Sequence, residues 1–249
     1  MTLTGTEARE AREAAAGAAV KRSYVQRMFS EIAPRYDLLN HLLSLGVDRS
    51  WRRKALARLG WEQWPGGIYL DLCAGTLDVG TALSRRPGFR GHIVGGDFAE
   101  PMLRAGHGKA PRETLTPVVA DALGLPLGTR CCDGAIVAFG IRNVAGLDAA
   151  LREVQRILKP GTRFVILEFS TPHAALFRWL YQLYFHRMLP LVGGLVSGHN
   201  TAYRYLPQSV ANFPECGELA RRMTAAGFAA VRWETLTFGI AAIHIGEKT

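Results

Sequence analysis

Leu70-Asp71-Leu72-Cys73-Ala74-Gly75-Thr76-Leu77-Asp78-Val79-Gly80, followed by Ile93-Val94-Gly95-Gly96-Asp97, decides the reading of this chain. An apolar run closing on an acidic residue, small residues at a bend, and a second acidic residue one βα unit later form a nucleoside-binding layout. Ala74 and Gly75 supply the bend, where the chain swings from a strand into a helix and a ligand must approach the backbone. Asp97, ending the second run, can accept hydrogen bonds from both hydroxyls of a ribose. Alone, residues 70–80 also read as a plain strand, turn and helix. Asp97 at the right distance favours the ligand reading.

The dinucleotide fingerprint Gly-x-Gly-x-x-Gly is missing, because Leu77 stands two positions after Gly75 and the next glycine is Gly80. The spacing fits S-adenosylmethionine better than a dinucleotide. Asp71 either organises the turn or is a solvated strand-end aspartate.

The composition, 249 residues with 48% hydrophobic and 20% charged, suits a single domain with a full core and one insertion. Four cysteines without a CxxC pair, and no histidine cluster at zinc-ligand spacing, give no support for a metal or a disulfide framework. The N-terminal residues lack the regions of a signal peptide, and no uncharged apolar run reaches the length of a membrane span, so a cytoplasmic location is expected. The net charge of +9 either favours a polyanion, such as an anionic membrane face or a nucleic acid, or is spread over the surface and serves solubility.

Along the chain, residues 1–22 carry Ala, Glu and Arg without large apolar groups and read as a flexible tail, leaving 23–249 as the domain. Residues 24–60 are amphipathic and helical with breaks near Pro34 and Gly46, forming a helical cap. Strands are expected at 68–72, 92–96, 117–120, 133–138 and 163–169, with helices at 77–85, 100–108 and 147–158 between them. Helix 215–226 then leads to strands 229–236 and 239–246, which are joined too tightly for a crossover helix. The expected fold is α/β: a seven-stranded, Rossmann-like, doubly wound sheet whose last strand is antiparallel. Residues 172–212 exceed what that pattern requires and read as an insertion. Its first half is rich in aromatics and leucines, so it covers an apolar substrate, touches lipid, or packs as a helix on the sheet.

Further motifs carry a family resemblance. Tyr36-Asp37-Leu38-Leu39-Asn40, with Ser44-Leu45-Gly46-Val47-Asp48-Arg49-Ser50-Trp51, resembles the first signature of the quinone-biosynthesis C-methyltransferases, the class I family of the menaquinone and ubiquinone pathways. Arg156-Ile157-Leu158-Lys159-Pro160-Gly161, running into Phe164-Val165-Ile166-Leu167-Glu168-Phe169, resembles the second. Phe139-Gly140-Ile141-Arg142-Asn143-Val144 and Tyr203-Arg204-Tyr205-Leu206-Pro207-Gln208-Ser209 resemble two further family segments. Lys-Pro-Gly recurs in many methyltransferases of this fold, whereas the YDxxN, FGxRN and YxYLxxS segments in order are diagnostic. The resemblance spans about residues 24–246.

The resemblance implies S-adenosylmethionine as cofactor, held by Asp71, Gly75, Thr76, Asp97, Asp121, Ala122 and Ala138. It places Gly75 and Thr76 at the methionine end, Asp97 on the ribose, and Asp121 with the Ala122 amide at the adenine. It implies methyl transfer to a ring carbon of a prenylated quinol, demethylmenaquinol to menaquinol, the alternatives being a benzoquinol precursor of ubiquinone, another small aromatic acceptor, or an inactive relative. Arg142 and Asn143 are the expected catalytic pair, with a loop-stabilising network as the plainer alternative. Arg142 would stabilise the developing phenolate and Asn143 would position a water. Tyr36, Asp37 and Asn40 are assigned to a cap over substrate and cofactor, and no role is assigned to His41, His186 or His199. Transient contact with an anionic membrane surface from the cytoplasmic side is expected, and a homodimer is left open.

Two departures from the family pattern stand out. Leu77 replaces a glycine common in relatives and is expected to point away from the ligand into the sheet–helix interface. Ala138 replaces a serine found in some relatives. An RNA methyltransferase is disfavoured, since residues 138–141 lack the polar-Pro-Pro-aromatic turn of amino-group methylases, and no nucleic-acid partner is expected. A non-catalytic cofactor-binding subunit and a nicotinamide oxidoreductase are the remaining rivals.

Overall fold

Alternation of side chains along the apolar runs sets the architecture. In β5 (Arg163–Phe169), Phe164 and Ile166 join one core while Val165 and Leu167 join the other, as the period of two in a strand covered on both faces requires. The computed structural model describes residues 21–33, 46–172 and 200–249. Within them, helix α1 (Lys21–Ile32) and α2 (Val47–Arg58) precede β1 (Ile68–Leu72), α3 (Asp78–Ser84), β2 (His92–Asp97), α4 (Glu100–Ala105), β3 (Leu115–Val119), β4 (Gly134–Ala138), α5 (Leu147–Ile157) and β5. Then follow α6 (Asn200–Ala211), α7 (Cys216–Ala225), β6 (Phe228–Leu236) and β7 (Ala241–Lys248).

The seven strands form one sheet in the order β3-β2-β1-β4-β5-β7-β6. β1 to β5 are parallel, and β7 runs antiparallel between β5 and β6, as the short connection before it dictates. Expected strands agree with the structure to within two residues at every end. One core joins α2 and α3 to Tyr69, Ile93, Ile136 and Val165; the other joins α5 and α7 to Leu70, Val137, Phe164 and Ile166. The order reverses between β1 and β4, so the loops leaving those two strands diverge and open a crevice at the carboxyl edge.

Two further elements lie over that edge. Tyr24, Val25, Met28 and Ile32 of α1 bury themselves with Tyr205 of α6 in a separate small cluster. Lys21 and Arg22, assigned from sequence to the flexible tail, form the first turn of α1 and reach the crevice. Helix α6, inside the expected insertion, meets α1 and the 3₁₀ turn Ile141–Asn143. The aromatic first half of the insertion lies outside the described residues, as do Tyr36, Asp37, Asn40 and the three histidines left without a role. Among the described residues no helix is long and apolar enough to cross a membrane, and no cluster of His, Cys, Asp or Glu could hold a metal.

Candidate active site

The turn after β1 is built from backbone in the left-handed region. Cys73, Gly75 and Leu77 have φ of 52°, 52° and 65°. This winding turns successive amides toward β2: the Ala74 N–H donates to the Gly96 carbonyl at 3.1 Å, and the Gly75 N–H to Asp97 Oδ2 at 2.8 Å. Asp97 Oδ1 accepts the Ala99 N–H at 2.8 Å, so one carboxylate ties together two loops. Burial pushes the Asp97 carboxyl above its ordinary range, and the N–H donors of Ala99, Gly75 and Phe98 pull against that.

Leu77 answers the question its presence raises. Its side chain is buried in the core with Ile93, Leu103 and Leu115, and a Cβ on Gly95 would come within 2.6 Å of Leu77 Cδ2. It points into the sheet–helix interface, away from the crevice, as expected. The φ of a non-glycine residue here carries strain of about 1–2 kcal/mol, which the buried isobutyl group offsets.

Asp71 is buried, and its Oδ2 accepts the Gly80 N–H of α3 at 2.8 Å. Burial raises its carboxyl to about 7, opposed by the Gly80 N–H and by Arg52. Its contact is therefore with the turn. Thr76 is also buried, with its carbonyl packed so closely on Gly106 that any Cβ there would collide.

A cleft of about 720 Å³, counting its mouth, opens between these loops and the one after β4. Gly75, Asp97, Asp121, Ala122, Ala138 and Asn143 form part of its wall; Asp71, Thr76 and Arg142 do not. Apolar surface comes from Phe29, Leu72, Phe98 and Met102. Arg22 reaches in from α1 and pairs with Asp121 Oδ2 at 2.9 Å, while Asp121 Oδ1 accepts the Leu123 N–H at 3.0 Å. Helix α1 thus roofs the cleft with contacts to three loops, since Gln26 donates to the Phe98 carbonyl at 3.2 Å and Lys21 to the Arg142 carbonyl at 2.8 Å. The reading of residues 1–22 as a tail missed Arg22 and Lys21, because no large apolar residue marks where α1 begins.

The loop after β4 is constructed differently. Phe139 adopts φ 61° and stacks on Phe169 with centroids 4.7 Å apart. Gly140 is required because a Cβ there would strike the Cβ of Cys73 on the neighbouring strand end. Arg142 is buried, its guanidinium 2.8 Å from Glu168 Oε1 and hydrogen-bonded to the Phe139 carbonyl, with Phe169 5.4 Å beneath it. Burial lifts the Glu168 carboxyl, with the Arg142 charge pulling it down. Asn143 faces the cleft, and among the described residues its Oδ1, like Arg142 Nε and the Tyr205 hydroxyl, is buried without a partner. Glu168 carried no assigned role in the sequence, although a carboxylate inside the apolar run RFVILEF was a legible signal.

Residues 18–248 match the model of the ubiE/COQ5 methyltransferase family. The chain is 50% identical to demethylmenaquinone methyltransferase of Thermus thermophilus over 89% of this chain and 100% of that one. It is 46% identical to the protein of that name from Deinococcus radiodurans, covering 92% and 94% of the two chains. With the ubiquinone/menaquinone biosynthesis C-methyltransferase UbiE of Geobacter sulfurreducens it shares 44% identity, over 92% and 90%. Among solved structures it resembles the [4+2]-cyclase SpnF, with a TM-score of 0.67 at 16% identity over 90% of this chain and 95% of that one. A possible histamine N-methyltransferase from Thermotoga maritima gives 0.61 at 17%, over 90% and 99%. These two likenesses speak to the fold, and a cyclase sharing it shows that the fold does not by itself fix the reaction. The matched span and the identity to these relatives show the family: the chain belongs to the ubiE/COQ5 methyltransferase family.

Proposed function

We propose that the protein transfers a methyl group from S-adenosylmethionine to a ring carbon of a prenylated quinol, converting demethylmenaquinol to menaquinol. The observation that carries this reading is the pairing, on one edge, of a cleft bordered by Gly75, Asp97 and Asp121 with the buried Arg142 and an Asn143 Oδ1 that has no partner among the described residues. The names of two similar relatives, matched over nearly their full length, support the choice of ring.

The cleft fits an adenosine. Asp97 is held by the N–H groups of Gly75, Ala99 and Phe98, and the acceptor capacity its two oxygens keep suits a ribose hydroxyl. Asp121 and the Ala122 amide suit the polar edge of adenine, between the apolar surfaces of Phe98 and Met102. Gly75 borders the methionine end, Thr76 beside it packs inside the turn, Asp71 anchors the helix that follows through the Gly80 N–H, and Ala138 leaves room at the reacting end. When bound, S-adenosylmethionine supplies a methyl group on a cationic sulfur that departs with its electron pair.

The chain's own residues must make the acceptor carbon nucleophilic. As a quinol hydroxyl loses its proton, its electron pair spreads to the adjacent ring carbon, which forms the new carbon–carbon bond; that carbon's hydrogen then leaves as a proton and aromaticity returns. Arg142 stabilises the oxygen's developing charge and is too basic to take a proton. Asn143 Oδ1 accepts a hydrogen bond from the water that receives the hydroxyl proton. Tyr36, Asp37 and Asn40 are assigned to the cap over both ligands on resemblance alone. Because the acceptor's tail lies in lipid, the protein visits an anionic membrane face, for which its charge of +9 suits it.

The test is mass spectrometry of short-tailed demethylmenaquinone, and separately of a benzoquinone precursor, after incubation with S-adenosylmethionine and dithionite. A gain of one methyl on the naphthoquinone, dependent on reductant, is expected. No gain while the cofactor binds would overturn the reading.

A further inference from the structure

Glu168 is 2% exposed and lies next to the end of β5, on the sheet edge where the cleft opens. Its carboxylate has three donors: Arg142 Nη1 at 2.8 Å, the Phe169 N–H at 2.9 Å and the Arg142 N–H at 3.4 Å. Both the side chain and the backbone of Arg142 are thus bound to one carboxylate. The pair is almost fully buried, at 8% and 2% side-chain exposure. A buried ion pair is poor evidence for stability, because desolvation of both charges cancels most of their attraction and an apolar pair of similar volume serves a core as well or better.

What the pair does accomplish is orientation. Nη1 is engaged by Glu168 and the Phe139 carbonyl, and the guanidinium lies over the Phe169 ring, so the arginine is held from three directions. In that pose Nε is a buried donor without a partner among the described residues, and Asn143 Oδ1 is a buried acceptor in the same state. Among the described residues, the other ionisable groups around them include Lys21 and Tyr24 from α1, Tyr205 from α6 and Cys73 just after β1. Lys21 is bound to the Arg142 carbonyl, so it secures the turn and leaves the guanidinium to Glu168.

We propose that Glu168 is the positioning residue of the transfer site, holding the Arg142 guanidinium in the pose from which it stabilises the acceptor oxygen. The inference rests on the function proposed above. It assigns Glu168 no contact with either ligand: its effect passes through Arg142.

Two variants test it, Glu168→Gln, which keeps size and an acceptor for Nη1, and Glu168→Ala, which removes both. Turnover on short-tailed demethylmenaquinol should fall about tenfold in the first and about a hundredfold in the second, the range that a misplaced catalytic group produces. The dissociation constant for S-adenosylmethionine should stay within about threefold in both. A second readout needs no methyl transfer: the pKa of bound 1-naphthol, followed by its absorbance in the three proteins with S-adenosylhomocysteine present. The wild type should lower it, Glu168→Gln should lower it less because a neutral amide holds the guanidinium more weakly than a carboxylate does, and Glu168→Ala should return it toward the free value. Wild-type turnover and naphthol pKa retained in folded Glu168→Gln and Glu168→Ala would overturn the positioning role. An unshifted naphthol pKa and absent turnover in the wild type would instead overturn the quinol reading and this inference with it. Should Glu168→Ala fail to fold, a Glu168→Gln protein with unchanged turnover and pH profile still refutes the proposal.

Discussion

The loops leaving β1 and β2 and the loop leaving β4 border the same cleft but are finished to different degrees. Around β1 and β2, Gly75, Gly80 and Ala99 present their amides to Asp97 and Asp71, so the cradle is complete before anything binds. Around β4, Arg142 Nε, Asn143 Oδ1 and the Tyr205 hydroxyl are buried without partners among the described residues. Unpaired buried polar atoms cost free energy, so these three groups gain most from a polar partner. In the proposed site, the cofactor side is preorganised by backbone amides and the acceptor side is held by side chains around one ion pair.

The sharpest way to break this comparison is Arg142→Ala. Turnover should fall by two to three orders of magnitude, about 3–4 kcal/mol of transition-state stabilisation, while cofactor affinity measured by calorimetry stays within threefold. Equal losses in both would mean that the two halves are not separate. Because this change strands Glu168, the melting temperature should be measured alongside, with Arg142→Lys as the variant that keeps the charge.

The next effect concerns the carboxylate under the β1 turn. Asp71, raised to about 7 by burial, binds its proton more tightly folded than unfolded. Its contribution to stability is therefore fully present below about pH 4 and is lost as pH rises through 7, worth up to a few kcal/mol. Asp71→Asn keeps an acceptor for Gly80 and should abolish that slope, so the melting temperatures of the two proteins should diverge between pH 4 and 7, the variant gaining at the upper end. Parallel curves would show that Asp71 is not so perturbed.

Leu77→Gly tests whether the departure from the family pattern belongs to the core or to the cleft. Removing a buried leucine costs about 2.7–5 kcal/mol, and relief of the left-handed φ returns about 1–2. A net loss of about 2 kcal/mol is expected in chemical denaturation, with cofactor affinity changed less than tenfold. A tenfold or larger gain in affinity would place the Leu77 side chain in the ligand's way. The smallest change is Ala138→Ser, which adds one donor to the cleft wall and should tighten cofactor binding by about 0.5–1.5 kcal/mol.

The sheet was legible because its information is local. Apolar runs such as IYLDL and RFVILEF have the length and composition of buried strands, and a short β6–β7 connection admits only an antiparallel strand. The cofactor half was legible for the same reason, since Asp97 and Gly75 lie at fixed offsets from strand ends. Partnerships across the fold were not. Nothing in sequence pairs Arg142 with Glu168, 26 residues on, or Arg22 with Asp121. The direction of a side chain at a strand end depends on how neighbouring loops pack, which is why Thr76 and Arg142 could be named but not aimed. The β-bulge between Ala229 and Arg232 likewise leaves no periodic trace in the run FAAVRWETL.

In the proposed reaction a ring carbon, made nucleophilic beside Arg142, receives the methyl group. That step is tested most directly by turning over reduced short-tailed demethylmenaquinone with S-adenosylmethionine carrying ¹³C in the transferred methyl, then recording the carbon NMR spectrum of the product. The label should appear in the aryl-methyl region, coupled to ring carbons. A signal in the methoxy region would mean transfer to oxygen and would contradict the account.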